Sequence, residues 1–351
     1  MIRSYSTTIR RKEMDAVLTC MVDEKIGPGE LNIRLIQSVK DFFKCDGAVA
    51  FRSPAIALKY VLKALDSPVG SCVMLSALAP SWQIVALEDL GYVPLVLDVD
   101  ETTGLVTPDI VSEGIKTGGR FLLLHETQGI MPDMDALTAL GIPVIEDISQ
   151  SAGAVIPATD ENGNPVEGRR AGSFGVFTIL GLEEHDVITA GGGAVLMAPG
   201  RREWIPLKKF TDSAPLTELL PDLNSALAWV ELREFPKNEI VRREIFTLFQ
   251  RSCMAGRHKL FVRDMEGAST MCSFPVVLSS SYKEVKQYTD RKDVEIRPAY
   301  ENSVIALRDE QLSASCIHAK SLYLRCVLFP LYPRLTHSET AKIVKVLGTL
   351  P

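Results

Sequence analysis

A carboxylate at the end of a buried apolar run is the first feature of this sequence with chemical potential. Pro143–Ala154 reads PVIEDISQSAGA, a β-run closing on Glu146 and Asp147, with Gln150 one turn further on. A carboxylate so placed can hold the protonated nitrogen of a pyridine ring, the means by which proteins keep pyridoxal phosphate electron-withdrawing. The same acid reads equally as a helix cap beside a solvated neighbour. Gly172–Met197 reads GSFGVFTILGLEEHDVITAGGGAVLM. Its three consecutive glycines, 191–193, imply a tight turn or a close backbone approach to a ligand. They lead into a strand, whereas a dinucleotide fingerprint follows a strand and opens a helix, so that fingerprint is excluded. His185 precedes them in a polar stretch, where an accessible imidazole serves as a base near neutral pH or is an ordinary surface histidine. Phe51–Leu58 reads FRSPAIAL, a strand running into a helix. Ser53 suits the N-cap and Pro54 the first helical position. A helix start beyond a strand also suits a phosphate, although Pro54 removes one donor and leaves those of Ala55 and Ile56.

The elements that must position these residues follow from periodicity. Short apolar runs at Ala48–Phe51, Cys72–Ser76, Pro94–Asp98, Phe121–His125, Pro143–Asp147, Gly175–Ile179 and Gly193–Met197 read as strands. Amphipathic segments at Ala55–Leu65, Ile84–Leu90, Pro108–Lys116 and Met134–Leu140 alternate with them. This alternation requires a mainly parallel sheet with helices on both faces, because parallel neighbours need a crossover. Such sheets bind ligands at the carboxyl ends of their strands. Three strands end there on a polar residue: Asp98, His125 and Asp147. A long helical stretch from Leu223 towards Gln250 then leads to smaller pieces, strands at Ser273–Leu278 and Val294–Arg297 and helices at Ala314–Leu322 and Ser338–Leu347. The expected division is a large domain over residues 1–235 and a small α+β domain over 236–351. Asp160–Arg170, with Gly163–Asn164–Pro165, reads as a surface loop.

Composition narrows the partners. The 351 residues carry 38 Lys and Arg against 44 Asp and Glu, a net charge of −6, which argues against a nucleic-acid face built from clustered cations. No apolar run approaches the length of a membrane span. Seven scattered cysteines without a CxxC pair favour neither a disulfide framework nor zinc, and a cytoplasmic setting is expected. Cys45, Cys72 and His125 are conceivable reactive groups, without a visible nucleophile–base–orienter spacing.

In order along the chain, these segments resemble the DegT/DnrJ/StrS family of sugar aminotransferases. The resemblance also runs through the helix–GPG–helix of Arg11–Phe43, Gly91–Thr103 (GYVPLVLDVDETT), His125–Leu137 (HETQGIMPDMDAL), Asp222–Leu232 (DLNSALAWVEL) and Phe329–Thr336 (FPLYPRLT). It implies the fold type I architecture of pyridoxal-phosphate transferases: a mostly parallel seven-stranded sheet with helices on both faces and a smaller C-terminal α+β domain. It implies a homodimer, because family sites form between subunits, and a setting in nucleotide-sugar or polysaccharide biosynthesis. Asp147 matches the aspartate that pairs with the pyridine nitrogen, Gln150 the glutamine against the ring, and Thr178 the serine that helps hold the phosphate. Ser53, Ala55 and Trp82 fall at or beside the family's phosphate and ring-stacking positions.

The departures from that pattern carry as much information. Counting back from the glycines, His185 takes the place of the lysine that forms the Schiff base; counting forward from Phe177 selects Glu183. No lysine occurs between Lys116 and Lys208, and an imidazole cannot form the aldimine, which needs a primary amine. Ser53-Pro54-Ala55 replaces Ser-Gly-Thr, Thr217 and Leu219 replace an Asn and an Arg that serve the neighbouring subunit, and Pro80 replaces the stacking aromatic. One reading is a member that does not transaminate, binding a nucleotide sugar or another small anion, or serving only as a subunit, with no cofactor. A second is a lysine-independent enzyme similar to the sugar 3-dehydratases, holding pyridoxal or pyridoxamine phosphate non-covalently, with His185 as base and Asp147 on the ring nitrogen. A third is a conventional aminotransferase using Lys208 or Lys209.

Overall fold

Strand runs without a polar face must be covered on both sides, and that requirement builds the core of the molecule. The computed structural model describes every residue except 161–163, 255, 264–266 and 268. Two helices, α1 (Arg11–Val22) and α2 (Glu30–Phe43), precede β1 (Gly47–Phe51), α3 (Pro54–Ala64), β2 (Cys72–Ser76), α4 (Ser81–Asp89), β3 (Val93–Leu97), α5 (Pro108–Lys116), β4 (Phe121–His125), α6 (Met134–Thr138) and β5 (Val144–Asp147). Next come β6 (Val155–Thr159), β7 (Pro165–Arg170), β8 (Phe177–Gly181), β9 (Ala194–Ala198), α7 (Arg201–Thr211) and the long α8 (Asp222–Cys253). The last part contains β10 (Phe274–Val277), α9 (Tyr282–Asp290), β11 (Arg297–Pro298), α10 (Val304–Leu307), α11 (Asp309–Leu312), α12 (Ile317–Arg325), β12 (Cys326–Phe329) and α13 (His337–Leu347).

The main sheet has seven strands in the order β1-β9-β8-β5-β4-β2-β3. Its pairings are parallel except at β9, which runs antiparallel to both β1 and β8. Every residue of β5, β8 and β9 is buried. The expected strands and the helices between them are all present, with ends shifted by a few residues. The C-terminal part forms a second, antiparallel sheet, β10-β12-β11. Residues 235 and 236 lie inside α8, where Pro236 interrupts the run of backbone donors.

Two local expectations are corrected. Within the expected surface loop Asp160–Arg170, Pro165–Arg170 is a strand: β7 pairs antiparallel with β6. Gly163, in its expected turn, lies outside the described residues. The strand expected at Val294–Arg297 shrinks to β11, since Val294 instead bridges Ile2 of the N-terminal segment.

The small sheet and its helices dock on the carboxyl ends of β2 and β3. Ile305 and Val304 donate backbone hydrogen bonds to Ala77 and Ala79 at 2.9 and 2.8 Å. Asp98, just beyond β3, accepts the N–H groups of His318 and Ala319 at 3.1 and 2.8 Å and thereby caps α12. One of the three polar strand ends is therefore spent on holding the two parts together.

Candidate functional site

The other two polar strand ends meet. Parallel strands in register bring residues of equal height side by side, and β4 pairs with β5 so that His125 faces Asp147. His125 Nδ1 lies 3.0 Å from Asp147 Oδ2, with both side chains buried. Gln83, fully buried on α4, donates Nε2 to the same oxygen at 2.7 Å. Asp147 Oδ1 accepts the N–H of Ser149 at 3.1 Å and the Ser149 hydroxyl. A carboxylate offers about four acceptor positions, and protein groups fill them. Burial pushes the Asp147 carboxyl up, but the His125 charge and hydrogen bond, together with Ser149, outweigh it and hold the group below its usual range.

Above His125 opens a cavity of about 150 Å³. His125, Gln150 and His185 reach its wall from the large sheet, Arg297 and Tyr300 from the small domain, and Tyr5 from the N-terminal segment. Gln150 Oε1 accepts the N–H of Gln128 at 2.6 Å, which leaves its amide nitrogen for a ligand. His185 is exposed, and the Tyr5 ring meets its ring edge-on, centroids 4.4 Å apart. Partial burial, then Arg297, lowers the pKa of His185. Tyr5 is held by its hydroxyl on the Glu184 carbonyl and by Ser4, whose N–H donates to Glu295 Oε2 at 2.8 Å.

Glu146, the other acid of the pair, has a different task. It accepts the N–H groups of Gly172 and Phe174, each at 2.8 Å, and that of Gly175, and so fixes the turn before β8. Gly172 takes a φ of +88°, which a side chain would strain. Glu126 is buried beside Glu146, and burial followed by the Glu146 charge raises its pKa well above the carboxylate range.

Of the seven residues singled out from the sequence, the cavity brings together Gln150 and His185. Asp147 lies behind His125. Ser53 accepts the N–H of Ile56 at 3.2 Å as N-cap of α3, with Ala55 in the first turn. Thr178 donates its hydroxyl to the Gly172 carbonyl at 2.8 Å, and Trp82 packs against the apolar cluster around Leu58 and Ile84. None of these four lines the cavity. Lys208 and Lys209 lie on α7, with Lys208 paired to Asp212 at the surface. Burial pushes the Cys45 thiol up to about 11 and raises Cys72, so neither is an activated nucleophile. Among the described residues no cluster of three His, Cys, Asp or Glu is placed to hold a metal, and no helix is long and apolar enough to cross a membrane.

Sequence reasoning missed Arg297, Tyr5 and Gln83, which carry no local signal, and did not assign His125 a role although its strand-end position marked it. The residues present do not fit pyridoxal or pyridoxamine phosphate as they are arranged. The ring nitrogen would find Asp147 saturated, the phosphate would find Pro54 without an N–H, and Thr178 donates elsewhere. A volume of about 150 Å³ also falls below the ~300 Å³ at which pockets for ligands of moderate size begin.

The profile of the DegT/DnrJ/EryC1/StrS aminotransferase family matches residues 7–203 and 214–348. A 3-amino-5-hydroxybenzoate synthase from Amycolatopsis mediterranei is 26% identical over 161 residues, 44% of this chain; the match spans 39% of that relative's length. An aminotransferase from Psychrobacter cryohalolentis superposes with a TM-score of 0.84 at 18% identity, covering 98% of both chains. A histidine-to-asparagine mutant of GDP-4-keto-6-deoxymannose-3-dehydratase with bound GDP-perosamine superposes at 0.82 and 16% identity, covering 99% of this chain and 100% of the other.

Proposed function

The chain belongs to the DegT/DnrJ/EryC1/StrS aminotransferase family, and on that premise we propose a member that does not transaminate but binds a small anionic ligand in its cavity. That ligand is the sugar end of a nucleotide sugar or a smaller sugar-related anion. The observation that carries the reading is the cavity wall, where Gln150 and His185 stand and, among the described residues, no lysine does. A Schiff base needs a primary amine, and an imidazole cannot replace it. In this reading Arg297 and the Gln150 amide donate to the ligand, His125 offers it Nε2, and Tyr5 excludes water. The carboxylate of Asp147 orients His125 instead of a ring nitrogen. A cytoplasmic setting is supported by seven cysteines that are all unpaired. A homodimer belongs to the same proposal, and light scattering reads it directly.

A second reading is favoured by the position of His185 on the wall: a lysine-independent sugar dehydratase using pyridoxamine phosphate. One experiment separates the two. Purified protein is titrated with pyridoxal and pyridoxamine phosphate, and absorbance is followed before and after borohydride. We expect no borohydride-fixed adduct and no saturable cofactor band. An adduct fixed at one lysine overturns the proposal. Saturable pyridoxamine phosphate binding that borohydride leaves unfixed, with turnover abolished in His185→Ala, transfers it to the dehydratase.

A further inference from the structure

We infer that the cavity is a site for a small monoanionic hydroxy carboxylate of the sugar-acid kind, its carboxylate on Arg297 and a hydroxyl on His125. This rests on the reading that no pyridoxal-type cofactor occupies the space. Three features of the wall narrow the ligand.

The first is an unspent cation. Arg297 reaches the cavity from β11, its guanidinium carbon 5.9 Å from the centre of the Tyr5 ring. Among the described residues it makes no ion pair, and its Nε is buried without a hydrogen-bond partner. A planar guanidinium with an unmet donor matches the two oxygens of a carboxylate. Glu301 and Glu184 lie within electrostatic reach of both Arg297 and His185. With Glu295 these acids already outnumber the cation, so a second added negative charge is opposed more strongly than a first, which favours a carboxylate over a phosphate dianion.

The second is an open ring nitrogen. Asp147 can only accept, so His125 Nδ1 carries the proton in the 3.0 Å contact and Nε2 is the ring atom left for a ligand. Nε2 has no protein partner among the described residues, and the ring lines the cavity. A hydroxyl on the ligand, which both donates and accepts, matches this nitrogen, and the Gln150 amide nitrogen adds a donor for ligand oxygens. The third is size: about 150 Å³ admits a single sugar acid and leaves any nucleotide outside.

The test is calorimetric titration of the full chain with D-glucuronate, D-glucose and inorganic phosphate, each with and without Arg297→Lys. D-glucuronate is expected to bind saturably and at least tenfold more tightly than the other two. Arg297→Lys, a partly exposed position that keeps the charge but loses the fork, is expected to weaken it at least tenfold. A side-chain ¹⁵N spectrum of the five histidines checks the other contact without a variant: His125 should show a protonated Nδ1, and its Nε2 signal should move on adding D-glucuronate. Equal affinity for glucose, tighter phosphate binding, an unaffected Arg297→Lys or an unmoved Nε2 each overturns the inference. Failure of the underlying reading is distinguishable, because it produces a fixed cofactor adduct, whereas failure here leaves no adduct and no carboxylate binding.

Discussion

Asp147 is a side chain whose role depends on what its neighbours have already claimed. In a site built around a pyridine ring its carboxylate would face the ligand; here Gln83, His125 and Ser149 saturate it in a place without solvent. Truncating it therefore strands buried donors whether or not any ligand is present. Asp147→Ala is expected to cost about 3–5 kcal/mol of stability in ligand-free protein, read by urea denaturation. A loss within 0.5 kcal/mol would mean that the carboxylate serves only a ligand. Glu231 offers a second case. It is buried, it accepts the Thr8 hydroxyl, and burial pushes its pKa from 4.5 up to about 7. Because the folded value lies above the unfolded one, the protonated carboxyl contributes stability that is fully present below pH 4.5 and lost as pH rises through 7. That move corresponds to about 3 kcal/mol. Comparing wild type with Glu231→Gln should show the difference in unfolding free energy shifting by that order between pH 4.5 and 8, with a plateau above 7; a flat difference refutes the assignment.

At the scale of elements, distant helix ends complete one another. Asp222 opens α8, yet its carboxylate accepts the N–H groups of Gly29, Leu31 and Asn32 at 2.8, 3.1 and 2.9 Å, where α2 begins. The first turn of a helix has unmet donors, and a buried acid from another helix meets three of them here. Removing it should cost about 2–3 kcal/mol, combining cap loss with stranded donors. Hydrogen exchange should localise the damage to Gly29–Arg34, and protection there equal to wild type would exclude the role. The same scale shows where pattern reading fails. The hydrophobic periods of β2, β4 and β5 mark buried strands because their runs are continuous. Asp160–Arg170 misleads because polar hairpin strands have no buried face, so composition alone resembles a loop. The short β11 misleads in the other direction: Val294 is apolar, but its pairing partner is Ile2, nearly the whole chain away.

Across the whole molecule, local and distant information divide cleanly. The order of strands and helices, the polar strand ends, the glycine turn and the stretch without lysine from 117 to 207 are all written in residue order. Periodicity and composition are local quantities, so they need no knowledge of which segments touch. From them comes the sheet, and the order of the motifs adds the family resemblance, which implies that transamination is absent. The pairing of His125 with Asp147 depends on the register between β4 and β5. The reach of Arg297 into the cavity depends on how the small domain docks against Ala77–Ala79, and the seat of Tyr5 on His185 depends on a segment that crosses to Val294. Each joins residues 22 to nearly 300 positions apart in the chain. Such contacts are selected by the burial and hydrogen bonding of the complete fold, which no window of sequence contains, and they are what turns a family outline into a particular cavity.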